Sequence, residues 1–230
     1  MIRLARLLRI RAAQSHDAGL SLIELLVAIA LTTVVMAMAV SLFVIGTHSV
    51  SLAQSIDGGT RQGSNGMNQV ARMIRAATPD PWTNPVVGGQ QADPAIYAAS
   101  ARSIIFYAYV NLSGGESPVM VQYAVVNGVL WEYQYAATST VAGVNGHWDF
   151  TYPTATMSRQ LCNSIPGTTT VFRYFDKTGA ELLPANLTGW QARATITSVQ
   201  VTITIQPTGM ASAVTLTNTI GMANIGSGSS

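Results

Sequence analysis

An acidic residue, Glu24, lies at the edge of an apolar run that has the length of a membrane-spanning helix. A carboxylate at the centre of such a helix costs about 2.5–3.5 kcal/mol, and less near its end, so its presence suggests a cationic partner. If the chain were cut after Gly19, the new α-amino group of Leu20 would supply that cation on an adjacent subunit. Glu24 is therefore a candidate for pairing with a cation.

Residue types that carry catalysis or bind metals are sparse in this chain. His16, His48 and His147 have no HxxxH spacing, and the fragment His147-Trp148-Asp149 is interpreted as a packed or surface loop. There is no GxSxG, P-loop or GxGxxG pattern, and the single cysteine, Cys162, excludes an intramolecular disulfide and a cysteine-based metal cluster. We therefore predict no catalytic residue, no metal ligand, no cofactor and no enzyme activity.

The charge balance excludes a further class of function. Charged residues make up 10% of the 230 residues, whereas about 25% is usual in globular proteins. Four of the 12 basic residues fall close to the N-terminus, at Arg3, Arg6, Arg9 and Arg11. The body of the chain therefore has no basic excess that could attract phosphates, and nucleic acid is not an expected partner.

Residues 25–45 form an apolar run of 21 residues without a charge, Gly or Pro. As a helix this run would span roughly 31 Å, which matches the hydrocarbon core of a bilayer. The arginine-rich segment ahead of it is expected to stay in the cytoplasm, so the C-terminal body should lie outside. A plain single-pass anchor is one competing hypothesis. A secretory signal cut at Ala37-Met38-Ala39 is another, although the apolar run continues too far beyond that point.

The sequence GLSLIELLVA at residues 19–28 resembles the prepilin cleavage motif of type IV pilins and type II secretion pseudopilins. The resemblance implies that a prepilin peptidase cuts between Gly19 and Leu20 and methylates the new amino group of Leu20. It also implies that Glu24 neutralises the terminal amine of a neighbouring subunit inside the apolar core of a fibre. Leu20 departs from the family pattern, which most often has Phe after the cut.

Helical spacing of apolar residues continues beyond Gly46 and predicts that the helix reaches residue 78. Pro79 and Pro81 should end it, because the residue before a proline is disfavoured in helical conformation. Glycines from Gly58 to Gly66 each cost about 1 kcal/mol relative to alanine, which predicts a bend or a partly melted turn. Three arginines are expected on the solvent face: Arg61, Arg72 and Arg75. A helix that ends in ARMIRAA before a β-rich body resembles PilW-type minor pilins and J-type pseudopilins.

The rest of the chain is typical of antiparallel β-structure. Asn127-Gly128 predicts a hairpin of residues 119–126 and 129–135, because both residues tolerate the positive φ of a type I′ turn. Val119, Val121, Tyr123 and Val125 should share one face, as should Val129, Trp131, Tyr133 and Tyr135 on the partner strand. Further strands are predicted at 103–110, 170–175, 195–205 and 214–220, with a turn at Asp176-Lys177. The pattern predicts an α+β fold of pilin type, with a long N-terminal helix packed on an antiparallel sheet.

Cys162 lies between two predicted strands, flanked by the apolar residues Leu161 and Ile165. A free thiol outside the cytoplasm is either buried as a small apolar group or used to link two chains. We expect burial. The predicted segments are a leader at 1–19, a membrane and fibre-core helix at 20–46, the second half of that helix at 47–78, a β-rich domain at 79–225 and a loose tail at 226–230.

The preferred hypothesis is a structural subunit, a minor pilin or pseudopilin that helps to initiate or cap a fibre. Its implied partners are the prepilin peptidase, other pilin or pseudopilin subunits, the assembly platform and ATPase, and membrane lipid before assembly. It would reside in the inner or cell membrane with its C-terminal domain outside, and then in the fibre. The alternative is a membrane-anchored β-domain that recognises a glycan or a surface ligand, with the helix as a tether.

Overall fold

A computed structural model describes residues 21–84, 89–110, 117–139, 147–206 and 213–225, with the backbone alone at 81–84 and 89–92. The chain divides into two compact units, Met1–Ser51 and Leu52–Ser230. The first helix, α1, spans Leu22–Arg75 and so has residues in both units. In the first unit every described residue of α1 is exposed. By length and composition, α1 is the one helix in the described part of the chain that could cross a membrane.

In the second unit, α1 packs through one face that contains three glycines. Gly59, Gly63 and Gly66 are buried and lie at positions i, i+4 and i+7, which share one side of a helix. A Cβ on Gly63 would lie 2.8 Å from Cδ1 of Leu216 and 3.3 Å from Cδ1 of Ile205. The predicted partly melted turn is therefore wrong: α1 continues as a helix through these glycines, and their missing side chains leave room for side chains of the sheet.

The C-terminal end of α1 comes three residues earlier than predicted, at Arg75. Ala77 already forms an isolated antiparallel bridge with Ala108, so the chain becomes extended before it reaches Pro79. The predicted solvent positions of the three arginines are confirmed, since Arg61, Arg72 and Arg75 are exposed.

The strands form three sheets in which every pair is antiparallel. The smallest sheet pairs β1 (Asp80–Asn84) with β2 (Gly89–Asp93). Five strands form the next sheet, in the order β3 (Ile96–Ala99), β4 (Ser103–Ala108), β5 (Val119–Val126), β6 (Val129–Ala136) and β7 (Met157–Cys162). Four strands form the last, in the order β11 (Val214–Gly221), β10 (Ser198–Ile205), β8 (Phe172–Phe175) and β9 (Glu181–Leu182). A short helix α2 (Trp190–Ala194) and 3₁₀ turns at Pro184–Asn186 and Ala223–Ile225 also occur.

The β5–β6 hairpin has the predicted turn, with φ of 51° at Asn127 and 75° at Gly128. A two-residue turn pairs Val126 with Val129, so odd positions on β5 lie opposite even positions on β6. Tyr123 therefore faces Glu132 across the strands. The two predicted apolar sets consequently lie on opposite faces of the sheet, and Leu130 and Glu132, at even positions of β6, are buried.

The main core lies between α1 and both larger sheets. Side chains from α1, from the five-stranded sheet and from the four-stranded sheet form one buried cluster that includes Val70, Ile74, Tyr123, Leu130, Phe172, Val201 and Ile203. A smaller cluster on the other face of the five-stranded sheet contains Ile105, Tyr107, Met120 and Tyr135. One long N-terminal helix packed on antiparallel sheets is the α+β architecture that the sequence predicts, so that prediction is confirmed.

A buried carboxylate joins α1 to the five-stranded sheet. The side chain of Glu132 has 0% exposure. Its Oε2 accepts hydrogen bonds from Nε2 of Gln69 in α1 at 3.1 Å and from the hydroxyl of Tyr123 at 3.1 Å. Arg159 of β7 donates to the same oxygen from Nε at 3.2 Å and from Nη2 at 2.9 Å. Burial of an unpaired charge is costly, so the partners of Glu132 must stay close to it. The hydrogen bond from Gln69 therefore favours the observed position of α1 on the sheet.

Candidate functional site

The N-terminus of α1 is built by Ser21 and Glu24. Leu25 N–H donates to the carbonyl of Ser21 at 3.1 Å, so Ser21 precedes the first turn as a capping residue does. The backbone N–H of Glu24 donates to Oγ of Ser21 at 3.2 Å, and that hydroxyl donates to Oε2 of Glu24 at 3.4 Å. The acid also lies near the positive end of the helix dipole. Glu24 therefore stabilises the first turn while it places a carboxylate at the edge of the apolar segment.

The carboxylate of Glu24 is open to a cation from elsewhere. The residue is exposed, and none of the ion pairs within the described residues includes it. The other predicted site residues, Gly19 and Leu20, lie outside the described residues. A cationic group for Glu24 would have to come from that N-terminal segment or from another chain.

The polar side chains inside the apolar run are satisfied within α1. Thr32, Thr33 and Ser41 each donate to a backbone carbonyl one turn earlier, as Ser41 does to Ala37 at 2.9 Å. Hydroxyls bonded in this way add little to the cost of placing the helix in an apolar environment. In the described stretch 21–56, the ionisable residues are Glu24 and His48.

Comparison with known families supports the interpretation of this part of the chain. A family model described as the prokaryotic N-terminal methylation motif matches residues 14–40. The chain carries a prepilin-type N-terminal segment. The matched range includes Gly19, Leu20 and Glu24, so the resemblance stated from residues 19–28 is confirmed for this prepilin segment.

Comparisons over the whole chain are more distant. No curated protein matches the chain at a significant level. Among solved structures, a chain in the crystal structure of the GspK-GspI-GspJ complex from the type 2 secretion system of enterotoxigenic Escherichia coli is similar. The similarity covers 71% of this chain and 97% of that chain, with 15% sequence identity and a TM-score of 0.42.

A second group of ionisable side chains, which sequence analysis did not predict, lies where the β1–β2 hairpin begins and ends. Asp80 and Asp93 are directly opposite each other across the two strands. Nε2 of His147 lies 3.4 Å from Oδ2 of Asp80 and 3.5 Å from Oδ2 of Asp93. Nδ1 of His147 lies 4.0 Å from Oδ1 of Asp149. The interpretation of His147 as a packed or surface residue therefore missed two of its three carboxylate neighbours.

Asp80 is the buried member of this group, with 0% side-chain exposure, whereas His147 is 39% exposed. Neither carboxylate oxygen of Asp80 accepts a hydrogen bond of ordinary geometry from the described residues. Burial raises the pKa of Asp80 to about 6, while the charge of His147 acts in the opposite direction. Within the described residues no three His, Cys, Asp or Glu side chains are arranged to hold a metal ion.

A cleft of about 410 Å³ adjoins this group and is lined in part by Asp93, Tyr109 and Arg193. Arg193 of α2 donates to the carbonyl of Ile96 at 3.2 Å and to the carbonyl of Thr188 at 2.7 Å. These bonds hold α2 against β3. The guanidinium therefore has a structural role at the wall of the cleft.

Proposed function

We propose that this chain is a minor pilin or pseudopilin, a structural subunit of a type IV pilus or a type II secretion-like fibre, that acts in initiation or capping of assembly. The observation that carries the proposal is the prepilin segment itself, with Glu24 at the edge of an exposed apolar helix. An apolar surface of this extent needs a cover of lipid or of neighbouring helices. We assign it a structural role and no enzymatic one.

The proposed sequence of events begins with processing. A prepilin peptidase removes residues 1–19 and methylates the new amino group of Leu20. The first part of α1 then resides in the inner or cell membrane, with the β-rich unit outside the cytoplasm. An assembly platform and its ATPase move the subunit into the fibre, where Glu24 pairs with the terminal amine of a neighbouring subunit. The low dielectric of the fibre core favours this pair, because an unpaired charge there would be costly.

Processing is the step that tests the proposal most directly. The full chain should be expressed with an active prepilin peptidase and, as a control, with a catalytically inactive one. Intact mass should show loss of the first 19 residues with the active peptidase alone. A mature N-terminus at Val40, or an uncut chain with the active peptidase, would contradict the proposal.

The alternative, a tethered β-domain that binds a glycan or a surface ligand, is separated by copurification. A fibre subunit should copurify with other prepilin-like proteins through its N-terminal helix, and should lose them when that helix is removed. A tethered binding module should keep its ligand after removal of the helix.

A further inference from the structure

We infer that the facing carboxyl groups of Asp80 and Asp93, with His147 beside them, form a proton-dependent latch that holds the β1–β2 hairpin against the neighbouring residues 147–151 in acid and loosens it as the pH rises. This inference concerns the β-rich unit and is independent of the proposed fibre role. It depends on the positions of three side chains: Asp80, Asp93 and His147.

The hairpin carries a like-charge pair where its two strands leave the rest of the unit. Asp80 and Asp93 are partners in the β1–β2 register, and like charges directly opposite each other destabilise a strand pair. Nε2 of His147 lies within 3.5 Å of an oxygen from each carboxylate. A protonated imidazole at this position attracts both carboxylates, and a neutral one leaves their repulsion uncompensated.

The burial of Asp80 raises the free-energy cost of ionising its carboxyl group. Both of its oxygens are shielded from water, and the backbone N–H of Trp148 and the charge of His147 only partly offset the effect of burial on its pKa. A carboxylate in that situation is expensive when ionised, unless a cation lies beside it. A proton on Asp80 relieves both problems, because it removes the buried charge and the repulsion from Asp93. Its loss leaves two facing carboxylates, one of them buried.

The neighbouring elements do not supply another group that could replace this proton. Tyr107 of β4 remains neutral, because burial raises its pKa far above the ordinary value. Asp149, in the same segment as His147, is 85% exposed and lies 4.0 Å away. Arg193 of α2 is bonded to backbone carbonyls. Within the described residues, the charged and titratable groups around the latch are therefore Asp80, Asp93, Tyr107, His147, Asp149 and Arg193.

The segment that carries His147 is attached to the five-stranded sheet. Thr138 N–H donates to the carbonyl of Asp149 at 2.8 Å, and Thr151 N–H donates to the carbonyl of Ala136 at 3.0 Å. His147 therefore connects the two-stranded sheet to residues that extend the end of β6. When the proton leaves, this connection is the one that weakens.

The direction of the pH effect follows from the raised pKa of Asp80. A carboxyl whose pKa is higher in the folded protein stabilises the fold below the ordinary Asp pKa of 3.8, and that stability is lost as the pH rises through about 6. The hairpin should therefore be most firmly closed in acid.

Hydrogen–deuterium exchange of the full chain in detergent tests the latch, with exchange times adjusted for the intrinsic effect of pH. Between about pH 5.5 and about pH 7.5, protection in β1, β2 and residues 147–151 should fall by about tenfold or more, as expected for displacement of one pKa by a unit or more. Protection in β10 and β11 should not change. Uniform loss over all strands, or no loss in the hairpin, would overturn the inference.

Variants on both sides of the strand pair keep the test decisive. Asp93→Asn removes the half-exposed carboxylate of the facing pair, so the hairpin of this variant should stay protected at the higher pH. Asp80→Asn removes the buried carboxylate and should have the same effect. His147→Gln should move the midpoint of the transition to higher pH, because the charge of His147 lowers the pKa of Asp80. His48→Gln, on the exposed part of α1, is the matched control and should keep the wild-type profile. A wild-type pH profile in Asp93→Asn would refute the latch.

Discussion

Glu24 combines a local structural role with the proposed assembly role, and substitutions can separate them. Its side chain shares a hydrogen bond with Ser21 at the N-terminus of α1, and its carboxylate has no cationic partner within the described residues. Ser21→Ala would remove the cap and keep the charge. Glu24→Gln would keep a polar side chain of the same size and remove the charge.

We predict that Glu24→Gln and Glu24→Ala lower incorporation into fibres by about tenfold or more, since an unpaired amine in an apolar core costs several kcal/mol. Ser21→Ala should cost about 1 kcal/mol of local helix stability and leave incorporation close to wild type. The measurement is the amount of subunit in sheared fibres relative to the membrane fraction. Equal losses for Ser21→Ala and Glu24→Gln would assign the effect to the cap.

Cys162 at the end of β7 illustrates how burial controls chemistry at a single residue. The thiol is buried, and burial raises its pKa to about 12. We predict slow reaction with a thiol reagent at every pH between about 7 and about 9, with a rate that does not level off in this range, whereas an ordinary cysteine approaches full ionisation there. Ser158→Cys, which adds an exposed thiol on the same strand, should react quickly and with that pH dependence. Fast reaction of the wild-type protein, or a dimer that a reductant abolishes, would contradict burial.

The buried carboxylate of Glu132, which accepts a hydrogen bond from Gln69 of α1, is paired with Arg159, whose side chain is 42% exposed. We predict that Arg159→Ala lowers the free energy of unfolding by about 3 kcal/mol, because it leaves a buried carboxylate without its cation. Arg173→Ala is the matched control: its pair with Glu181 is exposed and has a distance of 3.7 Å, so the change should be below about 1 kcal/mol. Urea unfolding followed by tryptophan fluorescence measures both values. Similar losses for the two variants would show that the buried network contributes no more than a surface pair.

The glycines of α1 differ in how much space is available for an added side chain, so alanine substitutions can test the packing of this helix. A Cβ on Gly58 would have no atom within 4 Å, whereas one on Gly63 would lie 2.8 Å from Cδ1 of Leu216. We predict that Gly58→Ala raises the free energy of unfolding by about 0.5–1 kcal/mol through helix propensity. Gly63→Ala should be less stable than Gly58→Ala by about 1 kcal/mol or more, because the methyl group must displace packed side chains. Thermal unfolding monitored by circular dichroism compares them, and equal gains would refute the packing role.

Elements with strong local signals could be predicted from the sequence. The Asn127-Gly128 turn fixed the β5–β6 hairpin because its backbone preference is local. Strand β7, with the polar sequence MSRQLC, has no alternation to detect, and β1 contains a proline. The inner face of β6 was also hidden: pairing across the turn, which decides it, placed Glu132 inside and aromatic residues on the other face.

The candidate sites differ in the same physical way. Residues 19–28 form a contiguous motif, so one stretch of sequence was enough to predict Glu24. The group of Asp80, Asp93 and His147 is assembled by strand pairing and by a loop far along the chain. No spacing rule connects these three residues, and only the folded arrangement brings their side chains together.

At the scale of the whole molecule, the two compact units differ in the surface that they expose. The described residues of the first unit expose apolar side chains, whereas the second contains the main buried core. We predict that a chain beginning at Leu52 is soluble without detergent and unfolds at the same urea concentration as the full chain in detergent. Size-exclusion chromatography and urea unfolding check this. Aggregation, or a much lower midpoint, would show that residues before Leu52 are needed for the fold of the second unit.

The glycine face of α1 also restricts how this sequence can diverge. Because Leu216 occupies the volume that a side chain at position 63 would need, the two positions are coupled by size. A larger residue at position 63 should be accepted by descendants that first acquire a smaller one at position 216, such as Leu216→Val, and purged from those that do not. Substitution histories of related chains should accordingly show paired, compensating changes at these two sites, while Gly58, which meets no neighbour, should drift freely.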